Sequence, residues 1–177
     1  MACRILNAVS GVVIFLLLAG MPDVGWTAPE CKGASSAEAK ALRKAALESP
    51  LHELLEKQSG AASSCRTTSK GGRHTLVLHY PRGGLLELVS SPTAEYVSQH
   101  AEFTGKVAAP TPDAALQTLR KLERSAASPD GCAIDWTPLE HAAGSGELKA
   151  AGTSCNCKAS MTLKDDSVRA LSFSMAC

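Results

Sequence analysis

Apolar and polar residues alternate with a period of two along the last stretch of the chain. Cys155, Cys157, Ala159, Met161 and Leu163 share one parity, while Asn156, Lys158, Ser160, Thr162 and Lys164 share the other, which is the pattern of a half-buried strand. Asp165-Asp166-Ser167 interrupts it with turn residues, and Leu171, Phe173, Met175 and Cys177 then resume one parity. The pattern predicts an antiparallel hairpin with a single apolar face. Pairing Lys164 with Val168 across a three-residue loop sets Met161 opposite Leu171, Ala159 opposite Phe173, Cys157 opposite Met175 and Cys155 opposite Cys177. That register brings two cysteines together at the end of the chain.

Upstream the period changes. Ser35-x-x-Glu38 is a capping-box pattern, and Ala39, Leu42, Ala46 and Leu47 recur at helical spacing. Ser49-Pro50 ends that helix and starts a second one carrying Leu51, Leu54 and Leu55, because proline suits a first helical position and serine can cap it. Residues 60–72 are small, polar and rich in turn formers, so a loop held by Cys65 is expected. Residues 75–80 and 85–89 read as two strands joined at Pro81-Arg82-Gly83-Gly84, and residues 96–103 as a third strand with Val97, Ala101 and Phe103 on one face. Thr111-Pro112-Asp113 opens another helix, striped by Leu116, Leu119, Leu122 and Ala126. Residues 132–136 suggest a strand, and residues 144–152 a loop or a short edge strand.

The predicted fold class is α+β: an antiparallel sheet of about five strands with two or three helices on one face, stapled by disulfides. Helix followed by hairpin occurs twice, with Ser64-Cys65 before the first hairpin and Ser154-Cys155 before the second, which raises the expectation of tandem helix–hairpin halves.

The amino terminus narrows the compartment. Arg4 precedes an uncharged run from Ala8 to Met21 that includes Val12 to Leu18, the arrangement of a secretory signal peptide. The run is shorter than the roughly 20 apolar residues of a membrane-spanning helix. A signal over 1–27, cleaved somewhere between 20 and 28, leaves 28–177 as one domain by length. Met21 stands where a lipidated cysteine would be needed, so no lipid anchor is expected. Export removes Cys3 and leaves Cys31, Cys65, Cys132, Cys155, Cys157 and Cys177, an even set that reads as three disulfides in an oxidising compartment. Register favours Cys155 with Cys177. Cys31 with Cys65 and Cys132 with Cys157 complete the set, without a comparable argument. The expected localisation is periplasmic or secreted.

Candidate chemistry is sparse. Cys155-x-Cys157 can be a redox pair or a soft-metal site, against the structural role usual for exported cysteines. No second ligand pair accompanies it, so no metal site and no cofactor are expected. His52-Glu53-Leu54-Leu55-Glu56 begins like a zinc-protease helix but has Glu56 where the second histidine is required, and both side chains are expected on a solvated helix face. His74 and His79 have opposite parity, His100 and His141 stand alone, and Ser145 lacks the strand-turn-helix of a nucleophile elbow. Lys70, Arg73 and Arg82 flank glycine turns and form a candidate anion-binding set, against the simpler reading of solvated turn cations.

The formal net charge of +1 and the scattered basic residues argue against nucleic acid or an anionic membrane as a partner. The functional expectation is a small exported, disulfide-stabilised, non-enzymatic protein that binds another protein, as inhibitor and immunity modules do. The alternatives are a thiol-redox or metal-binding envelope factor using Cys155 and Cys157, and a structural envelope component. The sequence leaves oligomeric state open.

Overall fold

The structure is a computed structural model and describes residues 29–33, 35–91, 96–126, 132–153 and 156–176. The expected signal peptide lies outside the described residues.

The helices start where side chains can satisfy their free N–H groups. Helix α1 (Ala37–Leu47) is capped by Ser36, whose hydroxyl accepts from Ala39 N–H, so the cap falls one residue after the predicted Ser35. Helix α2 (Pro50–Ser59) begins with proline behind Ser49, whose hydroxyl accepts from Leu51 N–H. Helix α3 (Pro112–Ala126) follows Thr111, which accepts from Ala114 N–H. A single turn, α4 (Thr137–Glu140), completes the set of four among the described residues.

Eight strands form one sheet in the order β1-β2-β3-β4-β5-β8-β7-β6. They are β1 (Cys31–Lys32), β2 (Ser64–Lys70), β3 (Arg73–His79), β4 (Gly84–Ser90), β5 (Tyr96–Phe103), β6 (Gly146–Ala151), β7 (Lys158–Lys164) and β8 (Ser167–Ala176). Only β1 with β2 is parallel, so the sheet is mixed, and β5 and β8 join two antiparallel meanders at its centre. The fold class is therefore α+β as expected, with more strands than the predicted five. The polar stretch expected as a loop is strand β2, because pairing with β3 outweighs the turn propensity of its own serines and threonines. Residues 132–136 contribute no strand, only an isolated bridge between Ile134 and Gly152.

The closing hairpin departs from the predicted register at its tip, and the predicted pair Cys157 with Met175 lies outside the ladder, which begins at Lys158 with Ser174. Lys164 pairs with Ser167 rather than Val168, across the two residues Asp165 and Asp166. Both carry positive φ, 51° and 58°, the conformation of a two-residue hairpin turn that aspartate tolerates. A bulge beside Thr162 and Leu163 leaves Arg169 without a cross-strand partner and restores the predicted pairs Met161 with Leu171 and Ala159 with Phe173. The Nε of Arg169 is buried without a hydrogen bond among the described residues, and nothing in the structure explains it. The predicted Cys155–Cys177 pair lies outside the described residues.

The rows of paired residues define two faces. One face carries Leu78, Leu86, Ala101, Leu171 and Met161 side by side, all buried, in one core with Leu42, Leu51, Leu55, Leu119 and Leu122 of the helices. Leu139 of α4 joins the same core. Among the described residues the helices pack on this face only; on the other, Val89 is buried and the remaining side chains are partly or fully exposed.

Candidate functional site

The uncovered face is read directly from strand register. Its central row runs Arg66, Val77, Glu87, His100, Ser172, Ser160 and Lys149 across β2, β3, β4, β5, β8, β7 and β6. A neighbouring row runs Thr68, Thr75, Val89, Ser98, Ser174, Lys158 and Ala151. On β8 and its neighbours the side chains Ser98, Ser160, Ser172 and Ser174 are short and polar. Between β6, β7 and β8 they leave a hollow of about 400 Å³ bordered by Lys149, Lys158, Ser160, Ser172 and Ser174.

His100 organises the middle of this face. Its Nδ1 lies 2.7 Å from Ser172 Oγ across the β5–β8 pair, and its Nε2 lies 3.2 Å from Glu102 Oε1 along its own strand. Glu87 is its register partner on the other side. Hydroxyl, imidazole and carboxylate in hydrogen-bonded sequence are the outline of an activated nucleophile. What acyl transfer also needs is a set of N–H donors aimed at the developing oxyanion. Both β5 and β8 have a hydrogen-bonded neighbour on each side, so their N–H groups point along the sheet into its ladders and not out of the face. The N–H groups of β5 and β8 are thus engaged in the ladders and do not point toward Ser172 Oγ above the face.

Along the sequence His100 stands alone. The alternation of β5 places His100 and Glu102 on one face, but only the pairing of β5 with β8, some 70 residues apart in the chain, supplies Ser172.

The cysteines are structural where they are described. Cys31 is bonded to Cys65 and pairs with it in the parallel β1–β2 register, and Cys132 is bonded to Cys157. Cys65, Cys132 and Cys157 are buried. The Cys132 bond occupies the sulfur that a redox or metal site at Cys155 and Cys157 would use, while Cys155 itself lies outside the described residues. No cluster of three or more metal-ligating side chains occurs among the described residues.

Lys70 and Arg73 are paired across the glycine turn between β2 and β3. Arg82 lies beyond the other end of β3, in the turn to β4 with φ 68°. Strand rise puts about 20 Å between the two turns, so the candidate anion set does not converge on one site.

His52 differs from its expectation. It packs against the sheet's end with a side chain 13% exposed, its Nδ1 lying 2.5 Å from the Tyr80 hydroxyl and its Nε2 3.9 Å from Glu56. Burial lowers its pKa, and burial followed by the Glu56 charge raises that of Tyr80. Ser145 has a bracing role: its hydroxyl accepts from Asp165 N–H and holds the tip of the β7–β8 hairpin. His141 is exposed at the end of α4, and His74 and His79 lie on opposite faces of β3.

Together the fold and the site define a disulfide-bridged α+β protein with one sheet face clothed by helices and, among the described residues, no helix on the other. Comparison with protein-family models, with curated proteins and with solved structures gives no match.

Proposed function

We propose that this protein is an exported, non-enzymatic binding module that presents the uncovered face of its sheet to another protein, in the manner of inhibitor and immunity proteins. The observation that carries the proposal is the asymmetry of the sheet. Four helices bury one face, whereas among the described residues no helix covers the other, where Ser98, His100, Ser172 and Ser174 are partly exposed beside a buried Val89. Short side chains on a rigid sheet let another surface approach closely and lose little rotamer freedom on contact.

Approach through the edges is less favourable than approach onto the face. Strand β2 is partly covered by β1, and β6 by the Ile134–Gly152 bridge and the hydrogen bond from Asp135 N–H to Ala151 C=O. Two disulfides suit an oxidising compartment, and no helix among the described residues is long and apolar enough to cross a membrane.

The test is site-specific photo-crosslinking in producing cells, with the crosslinker at Lys158 on the uncovered face or at Lys40 on the outer surface of α1. A discrete protein adduct from Lys158 and none from Lys40 is the expected result. Adducts confined to Lys40, or none from either site, would overturn the proposal.

A further inference from the structure

The uncovered face has a charge pattern that limits what can dock on it. Its middle is acidic. The Glu87 side chain forms no ion pair or hydrogen bond among the described residues, and among the same residues the one ion-pair partner of Glu102 is His100, which supplies a charge only when protonated. The margins are basic. Arg66 stands two strands from Glu87 on one side, and Lys149 and Lys158 lie beyond Ser172 and Ser174 on the other. Adjacent strands are about 4.8 Å apart, so the backbone of Arg66 lies about 10 Å from that of Glu87, and no ion pair joins the two side chains among the described residues. Lys149 is already engaged by Glu147 at 2.9 Å. Among the described residues, then, neither Glu87 nor Glu102 forms an ion pair with a lysine or arginine.

The surroundings also leave room for one. Across β8 from β5 the face carries Ala170, Ser172 and Ser174, none of which rises far above the sheet. A long side chain can lie along this floor with its head at the carboxylates and its methylenes over alanine and the hydroxyl-bearing carbons.

Resting on the protein-binding reading, we propose that the docking partner is a protein surface carrying a lysine or arginine that seats between Glu87 and Glu102, with neutral or acidic residues around it facing Arg66 and Lys158. A partner with an acidic centre would meet these carboxylates unpaired and be rejected, which is how such charge patterns select among partners. His100 is the positioning residue. Its hydrogen bonds to Ser172 and Glu102 fix the Glu102 carboxylate beside the seat.

The inference is tested on the isotope-labelled full chain with two probes, hexalysine and hexaglutamate, followed by amide chemical shifts. Hexalysine is expected to move the amides of Glu87, His100 and Glu102, with the response weakening as salt is raised, while hexaglutamate leaves them in place. In Glu87→Gln/Glu102→Gln, which keeps shape and hydrogen-bonding capacity, the apparent affinity for hexalysine should fall about three- to tenfold, the range for two partly exposed ion pairs. An unchanged affinity in the double variant, or a stronger response of these amides to hexaglutamate, would overturn the cationic seat. A Lys158 crosslink to a protein alongside silent amides would sink the partner's proposed chemistry and leave the docking face intact. Loss of both results would remove both.

Discussion

The hydroxyl of Tyr80 meets Nδ1 of His52 at 2.5 Å, joining the turn that precedes β4 to the outer turn of α2. Tyr80 stays a neutral donor because burial raises its pKa, and the His52 tautomer with its proton on Nε2, toward Glu56, leaves Nδ1 free to accept. A protonated His52 has no acceptor to offer, and its charge is poorly solvated there. The folded state therefore holds this proton less tightly than the unfolded chain does. Stability is fully present above the ordinary histidine value of 6.5 and is lost progressively as pH falls below it toward the lowered folded value. Urea denaturation of the wild type between neutral and mildly acidic pH is expected to show this loss, and His52→Gln to show a smaller one. An identical acid slope in His52→Gln would assign the loss to other groups.

Glu123 is the tie between α3 and the segment that leads into the second meander. One carboxylate oxygen accepts from Ile134 N–H at 2.8 Å and the other from Trp136 Nε1–H at 3.0 Å. Removing the carboxylate leaves two donors without partners in a half-buried place. Glu123→Ala is expected to cost about 2 to 4 kcal/mol in chemical denaturation and to shift the Trp136 fluorescence to the red. A loss below about 0.5 kcal/mol would mean that water replaces the carboxylate freely.

Gly152 is required by a close approach. A Cβ built there would lie 2.1 Å from the Cys132 carbonyl oxygen, and the obstacle is backbone, held by the Cys132–Cys157 bond. Gly152→Ala should therefore destabilise by about 2 kcal/mol or more, whereas Ala151→Ser, one residue away and exposed, should stay within about 0.5 kcal/mol. Equal midpoints for the two variants would show that the segment 132–136 yields easily.

The Cys132–Cys157 bond closes a loop with a sequence separation of 25. Loop-closure entropy gives such a crosslink about 3 kcal/mol, and Cys132→Ser/Cys157→Ser should lower stability by that order under non-reducing conditions. In the wild type, Cys31, Cys65, Cys132 and Cys157 are expected to resist alkylation until the protein is reduced and unfolded. Labelling of Cys157 in the native protein would reopen a thiol role for that position.

Local chemistry made much of this fold legible. The serine and threonine caps before Pro50 and Pro112, the parity of β5, the hairpin at Pro81 to Gly84 and the apolar match of Met161 with Leu171 all follow from interactions within a few residues or within one hairpin. The failures are also physical. Strand β2 has no apolar alternation because it lies toward the sheet's margin with only Cys65 buried, so its structure comes from hydrogen bonds to β3 that no local pattern announces. The hairpin tip closes over two residues rather than three because two aspartates can adopt the left-handed conformation, and a bulge at Arg169 absorbs the difference.

Sequence by itself determined the α+β class, the positions of the three long helices and the one-sided apolar faces of the strands, since these rest on periodicity and capping. Tertiary structure alone decided the joining of the two meanders through β5 and β8. That pairing brings Ser172 to His100, on the same face as Glu87 and Glu102. The reason is range: strand pairing across the middle of the sheet is fixed by the packing of helices α2 and α3 on the far side, and no stretch of sequence near His100 records it.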